Sequence, residues 1–191
     1  EVENMSEIDA FWWNDFQNMF TNSYGDCFET QRELEKKSLK HTLIKFGSIA
    51  DVDRLSNYMF EHWVKPPIFE DSLKFFESSP IYIVSNIDTA DILKAIEFHG
   101  LTPTDVFTSE DARAYKPRKE LFELALRTTG LKADEVIHIG DSLCSDVKGA
   151  SSVGINALWL NRFGKQIPNG VESISSLLGA LDKNLQSDNR F

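Results

Sequence analysis

Up to Pro66-Pro67 the apolar side chains recur every three or four positions; beyond it, short unbroken apolar runs alternate with helical stripes. Ile8, Phe11, Trp12, Asp15, Phe16 and Met19 trace one amphipathic face, which predicts a first helix. A second is predicted over 29–46, apolar at Leu39, Leu43 and Phe46, with Gly47 as its C-cap. A third runs through Leu55, Tyr58, Met59, His62 and Trp63 until the prolines stop it. Beyond the prolines, the pattern predicts helices over 69–78, 88–99, 118–129, 147–153 and 174–181, with strands over 81–84, 105–107, 136–139 and 155–160. Strands apolar on both faces and alternating with helices imply a parallel sheet covered on both sides. The expected fold is therefore α/β. Residues 67–191 form a Rossmann-like three-layer core, residues 1–66 a small all-helical module, and the polar tail 186–191 is frayed.

The bulk numbers narrow the partners. A net charge of -10 argues against nucleic acid and against an anionic membrane surface, both of which call for clustered Lys and Arg. No apolar run has the length of a membrane span, and the chain opens Glu1-Val2 with no signal-peptide pattern. Two cysteines, Cys27 and Cys144, make no disulfide framework and fit a reducing cytoplasm. Nothing in the pattern sets an oligomeric state.

Chemistry gathers where strands end. Gly140-Asp141-Ser142-Leu143-Cys144-Ser145-Asp146 follows the strand predicted over 136–139, and open α/β sheets bind ligands beyond the carboxyl ends of their strands. Two carboxylates there suit a hard cation such as Mg²⁺ and, through it, a phosphorylated substrate. Either aspartate alone could equally serve as an N-cap or Asx turn. Ser85-Asn86 ends the strand over 81–84, just before a helix opening at Asp88 or Thr89, where a hydroxyl and free N–H groups can hold an anion. Capping alone also explains it. Tyr115-Lys116-Pro117 lies in the loop beyond the strand over 105–107, though a lone lysine is usually a solvated surface charge.

Taken in order, Ser85-Asn86, Lys116-Pro117 and Gly140-Asp141…Asp146 resemble the haloacid dehalogenase-like hydrolase superfamily. The resemblance covers nearly the whole chain and extends to Thr108-Ser109-Glu110-Asp111, Ala150, Gly154-Ile155 and Asn161-Arg162. It implies that Ser85 and the Asn86 backbone hold phosphoryl oxygens and that Lys116, the catalytic cation, neutralises charge between phosphate and an attacking carboxylate. It also implies that Asp141 ligates Mg²⁺, while Asp146 completes or orients that metal site through Lys116 or a metal-bound water. A Gly-Asp-Ser turn with a second Asp five residues on is similar to the Mg²⁺-dependent phosphatases rather than the metal-free dehalogenases. The implied reaction is hydrolysis of a small phosphorylated metabolite through an aspartyl-phosphate, with residues 1–66 as the cap. Two other readings stay open: a non-catalytic binding or regulatory protein of the same fold, and a 2-haloacid dehalogenase.

In that family the nucleophile is the first Asp of an Asp-x-Asp pair ending a central first strand. The only Asp-x-Asp here is Asp51-Val52-Asp53, which follows no apolar run and reads as a helix N-cap. Unpairing the strands over 81–84 and 136–139 would expose about five apolar residues, roughly ten kcal/mol at ~1.5–3 kcal/mol each. That rivals a domain's whole net stability of about 5–15 kcal/mol. The resemblance therefore implies an upstream segment of roughly 10–25 residues carrying the nucleophile, without which the 191 residues are catalytically incomplete. His138 reads as a core histidine, Arg162 as a surface group, and Trp12 and Trp13, being adjacent, as facing different ways.

Overall fold

The computed structural model describes residues 5–78 and 80–181, so the expected frayed tail lies outside the described residues. The chain forms two compact units. The first holds the residues up to Pro66 together with Ser85–Gly100 and Thr108–Tyr115; the second holds Pro67–Val84, Leu101–Phe107 and the chain from Lys116. Among the described residues, no helix is long and apolar enough to cross a membrane.

The first unit is helical. Helices α1 (Met5–Asn22) and α2 (Gln31–Lys45) pack together, burying Phe16 and Leu34 with Tyr115. Helix α1 uses its predicted stripe, but α2 buries Leu34, Glu35, Ser38 and Thr42, and the expected Leu39, Leu43 and Phe46 are only half-buried. Thr30 and Glu33 close a capping box on α2, and Ser38 Oγ donates to the Trp12 carbonyl of α1. Trp12 is half-buried while its neighbour Trp13 is exposed. Helix α3 (Val52–Val64) begins at Asp51, whose side chain accepts from Asp53 N and Arg54 N, so this Asp-x-Asp is indeed a cap. Helix α5 (Thr89–His99) ends at Gly100, left-handed at φ +63°, and the short α6 (Ser109–Ala112) follows the second strand.

Carboxylates tie these helix starts together. Asp88 precedes α5 but does not cap it; its oxygens accept from Gln31 N (2.7 Å) and Arg32 N (3.0 Å) at the start of α2. Glu110 serves α5 instead, accepting from Thr89 N at 2.8 Å. The Arg32 guanidinium forks onto buried Asp91, Nε to Oδ2 at 2.6 Å and Nη2 to Oδ1 at 2.5 Å.

The second unit holds the strands: β1 (Tyr82–Ser85, its last residue belonging to the helical unit), β2 (Asp105–Thr108, likewise), β3 (Ile137–Gly140), β4 (Asn156–Leu160) and β5 (Ser173–Ile174). β3, β4 and β5 run parallel, His138 opposite Ala157 and Trp159 opposite Ser173. On β4, Ala157 packs into the cluster of Phe122, Ala150 and Ile155, whereas Leu158 joins Ile174 and Ala180. Successive strand residues point to opposite faces, so the sheet is covered on one side by α7 (Glu120–Thr129) and on the other by α4 (Glu70–Phe76), which contributes Phe75. This is the expected α/β, Rossmann-like arrangement.

Three expectations need correcting. The helix predicted over 174–181 opens instead as strand β5, because Ser173–Ile174 extends the β4 ladder: Trp159 N donates to Glu172 O and Asn161 N to Ile174 O. The helix predicted over 147–153 begins earlier, as a π turn over Leu143–Lys148 that passes into α8 (Gly149–Ser151). Arg162 is no free surface group either. It bonds Asp71 of α4 at 2.9 Å and lies 4.1 Å over the Phe69 ring. The strands fall into two sheets, β1 with β2 and β3 with β4 and β5; among the described residues none joins β1 to β3, which agrees with the gap expected between the strands over 81–84 and 136–139.

Candidate active site

Lys116 is 7% exposed, immediately after buried Tyr115 and before a cis bond to Pro117. Its ammonium donates to the Val84 carbonyl of β1 at 2.8 Å and to Asp146 Oδ1 at 2.6 Å. Asp146 stands on the π turn. Such turns interrupt an α-helix with an i→i+5 bond, here Val147 N to Ser142 O, and often occur at functional sites. The other oxygen of Asp146 accepts from Ser142 N at 3.0 Å. Burial acts to raise this carboxyl, but His138, Lys116 and the Ser142 N–H outweigh it and hold it far below the ordinary carboxylate range.

Gly140 explains how the carboxylate comes so close to the strand. A Cβ there would lie 2.2 Å from Asp146 Cγ. The glycine of this turn is thus required for space, its φ not being in the left-handed region. Asp141 is exposed; its carbonyl accepts from the Trp159 indole N–H at 3.0 Å, which fixes the backbone of the turn. Cys144 is also exposed.

Of the residues singled out in the sequence, Lys116 and Asp146 meet as a buried ion pair. Asp141 adjoins that pair along the turn, on the same unit. Ser85 and Asn86 are half-buried and follow Val84 directly, at the carboxyl end of β1, but belong to the helical unit. The N-terminus of α5 is already capped at Thr89 N by Glu110, which removes one of the N–H groups an anion could use. Sequence reasoning missed His138 as part of the site: its Nε2 lies 3.1 Å from Asp146 Oδ1. The signal was present, since His138 and Gly140 are two apart on one strand and therefore share a face.

Among the described residues no three His, Cys, Asp or Glu side chains cluster to hold a metal. The exposed carboxylate of Asp141 has the hard oxygen chemistry Mg²⁺ prefers, and Mg²⁺ commonly takes only one or two protein carboxylates beside water and substrate phosphate. Asp146 has both oxygens bonded to protein donors.

A family model for haloacid dehalogenase-like hydrolases matches residues 12–154. The chain belongs to that family. Two curated relatives are YfnB of Bacillus subtilis, named for a HAD-hydrolase, and the pyrimidine 5′-nucleotidase PynA of Streptococcus pneumoniae. YfnB is 37% identical over 42% of this chain and 36% of its own length; PynA is 31% identical over 55% and 48%. The chain therefore spans half or less of their length in these matches. Among solved structures, magnesium-bound YfnB superposes with a TM-score of 0.72 at 24% identity, covering 95% of this chain and 83% of that one. The L-2-haloacid dehalogenase of Xanthobacter autotrophicus gives 0.77 at 15% identity, covering 97% and 88%. Likeness at such low identity speaks for the haloacid dehalogenase fold alone.

Proposed function

We propose that this haloacid dehalogenase-like hydrolase is a Mg²⁺-dependent phosphatase of a small phosphorylated metabolite, working through an aspartyl-phosphate. The observation carrying the reading is the buried Lys116–Asp146 pair bonded to the Val84 carbonyl, one residue before Ser85. An ammonium held at a strand end by a carboxylate and a carbonyl is fixed in place before any substrate arrives. It can then offset the repulsion between a carboxylate nucleophile and a phosphate without reorganising. Ser85 Oγ and the Asn86 N–H would hold phosphoryl oxygens. Asp141 would hold Mg²⁺, with Asp146 acting on that site through Lys116; bound there, the metal supplies Lewis-acid polarisation of the phosphoryl group.

The nucleophile is not among these side chains, since Asp51 caps α3. The family's first strand belongs between β1 and β3, each of which has one strand neighbour among the described residues. That supports an upstream strand carrying the Asp-x-Asp pair. The residues before Pro66 would then act as the cap that selects the leaving group. Curated relatives named as a nucleotidase, PynA, and as phosphatases favour this over the dehalogenase reading. The test is turnover of a generic aryl phosphate by the full-length protein, with Mg²⁺ and with chelator. Metal-dependent phosphate release is expected. No turnover by an intact chain points to a binding protein, and metal-independent halide release from a 2-haloacid to a dehalogenase.

A further inference from the structure

His138 faces the same way from β3 as Gly140, and the two divide the work of seating Asp146. Gly140 leaves room for the carboxylate; His138 reaches it from the neighbouring position on that face, with Nε2 3.1 Å from Oδ1. Its ring is held edge-on against Phe122, centroids 5.1 Å apart at 88°, and Phe122 is itself 1% exposed. An aspartate paired with an ammonium at 2.6 Å is ionised and can only accept, so the proton of this bond sits on Nε2. Oδ1 thus receives Lys116 and His138, and Oδ2 receives Ser142 N–H.

We propose that His138 is a positioning residue for Lys116. A lysine ends in a point charge on a flexible four-carbon stem, so where it stands depends on how firmly its acceptors, the Val84 carbonyl and the Asp146 carboxylate, are held. A second donor on Oδ1 and a backbone donor on Oδ2 fix the plane of the carboxylate, and that plane fixes where the ammonium stands. The second donor comes from a planar ring packed on a strand, a stiffer support than the turn itself. The assignment rests on Lys116 being the cation that meets the phosphoryl group.

The experiment compares the full-length wild type with His138→Phe and His138→Gln on an aryl phosphate in the presence of Mg²⁺. Loss of a supporting partner of this kind costs about 10–100-fold. His138→Phe should lower kcat within that range with KM within about twofold, and His138→Gln, which keeps an N–H donor, should recover most of it. Wild-type kcat in His138→Phe overturns the proposal, as does an equal loss in a folded His138→Gln. If His138→Phe does not fold, imidazole ¹⁵N resonances of the wild type decide: a proton on Nε2 supports the assignment, and a bare Nε2 with the proton on Nδ1 defeats it. A wild type inert toward aryl phosphate under all metal conditions would count against the phosphatase reading instead.

Discussion

At Gly140 the absence of a side chain is what lets Asp146 reach Lys116. Gly140→Ala would drive a methyl into the Asp146 carboxylate, and overpacking of this kind costs about 1–3 kcal/mol. We expect a lower denaturation midpoint together with a larger loss of turnover, since the displaced group is the one carrying the lysine. Glu35 on α2 poses the opposite problem. It is 4% exposed, and burial pushes its carboxyl up from 4.5 to about 7, its Oε2 having no hydrogen-bond partner among the described residues. A carboxyl that binds its proton more tightly when folded loses stability as pH climbs from its unfolded value through its folded one. Glu35→Gln should therefore be more stable than wild type at pH 8, by roughly 2–3 kcal/mol, with the gap closing toward pH 4; urea melts at the two pH values check this. Nothing in the sequence marked Glu35, since a helical charge normally lies on a solvated face. The meeting of Lys116 with Asp146 was legible because the order and spacing of their motifs are specific. His138 was passed over, because a single histidine in a strand looks the same whether it fills the core or holds a carboxylate, and only the face it shares with Gly140 could tell the two apart.

Among the elements, the helices with caps were the most legible. Gly47, Gly100 and Gly130 each stand just past the end of an α-helix, as stop signals require, whereas the Thr30 cap lay inside the helix predicted over 29–46. The carboxylate crossing at α2 and α5 was hidden, because Asp88 sits where a local N-cap belongs yet bonds to a helix start 56 and 57 residues away. Asp88→Ala frees two α2 amides and should cost about 1–2 kcal/mol, as cap removals do, with the loss of amide protection concentrated at Gln31 and Arg32 in hydrogen exchange. A loss confined to α5 would contradict it. The segment at Ile174 misled for a different reason. A short apolar run carries no period of its own, and pairing with Trp159 and Leu160 decides between strand and helix. The π turn was equally invisible, since it comes from Ser142 O accepting both Asp146 N and Val147 N.

Over the whole molecule, alternating apolar runs gave the α/β class directly, and the division of the strands into two sheets falls at the gap expected between 81–84 and 136–139. The central claim is that a buried ion pair at the strand ends exists for phosphate chemistry. Removing Lys116 alone leaves the Asp146 charge buried among fewer donors, which should cost about 3–5 kcal/mol, so a single variant confuses folding with function. Removing both charges avoids this, because neutral replacement of a buried pair is often close to neutral for stability. The decisive measurement is therefore kcat on an aryl phosphate for the full-length Lys116→Met/Asp146→Asn double variant, alongside its melting curve. We expect a cooperative melt nearer to wild type than that of Lys116→Met, with turnover lower by about 10²-fold or more, the loss typical of removing a charge-stabilising donor. A folded double variant that hydrolyses the ester at the wild-type rate would contradict the account.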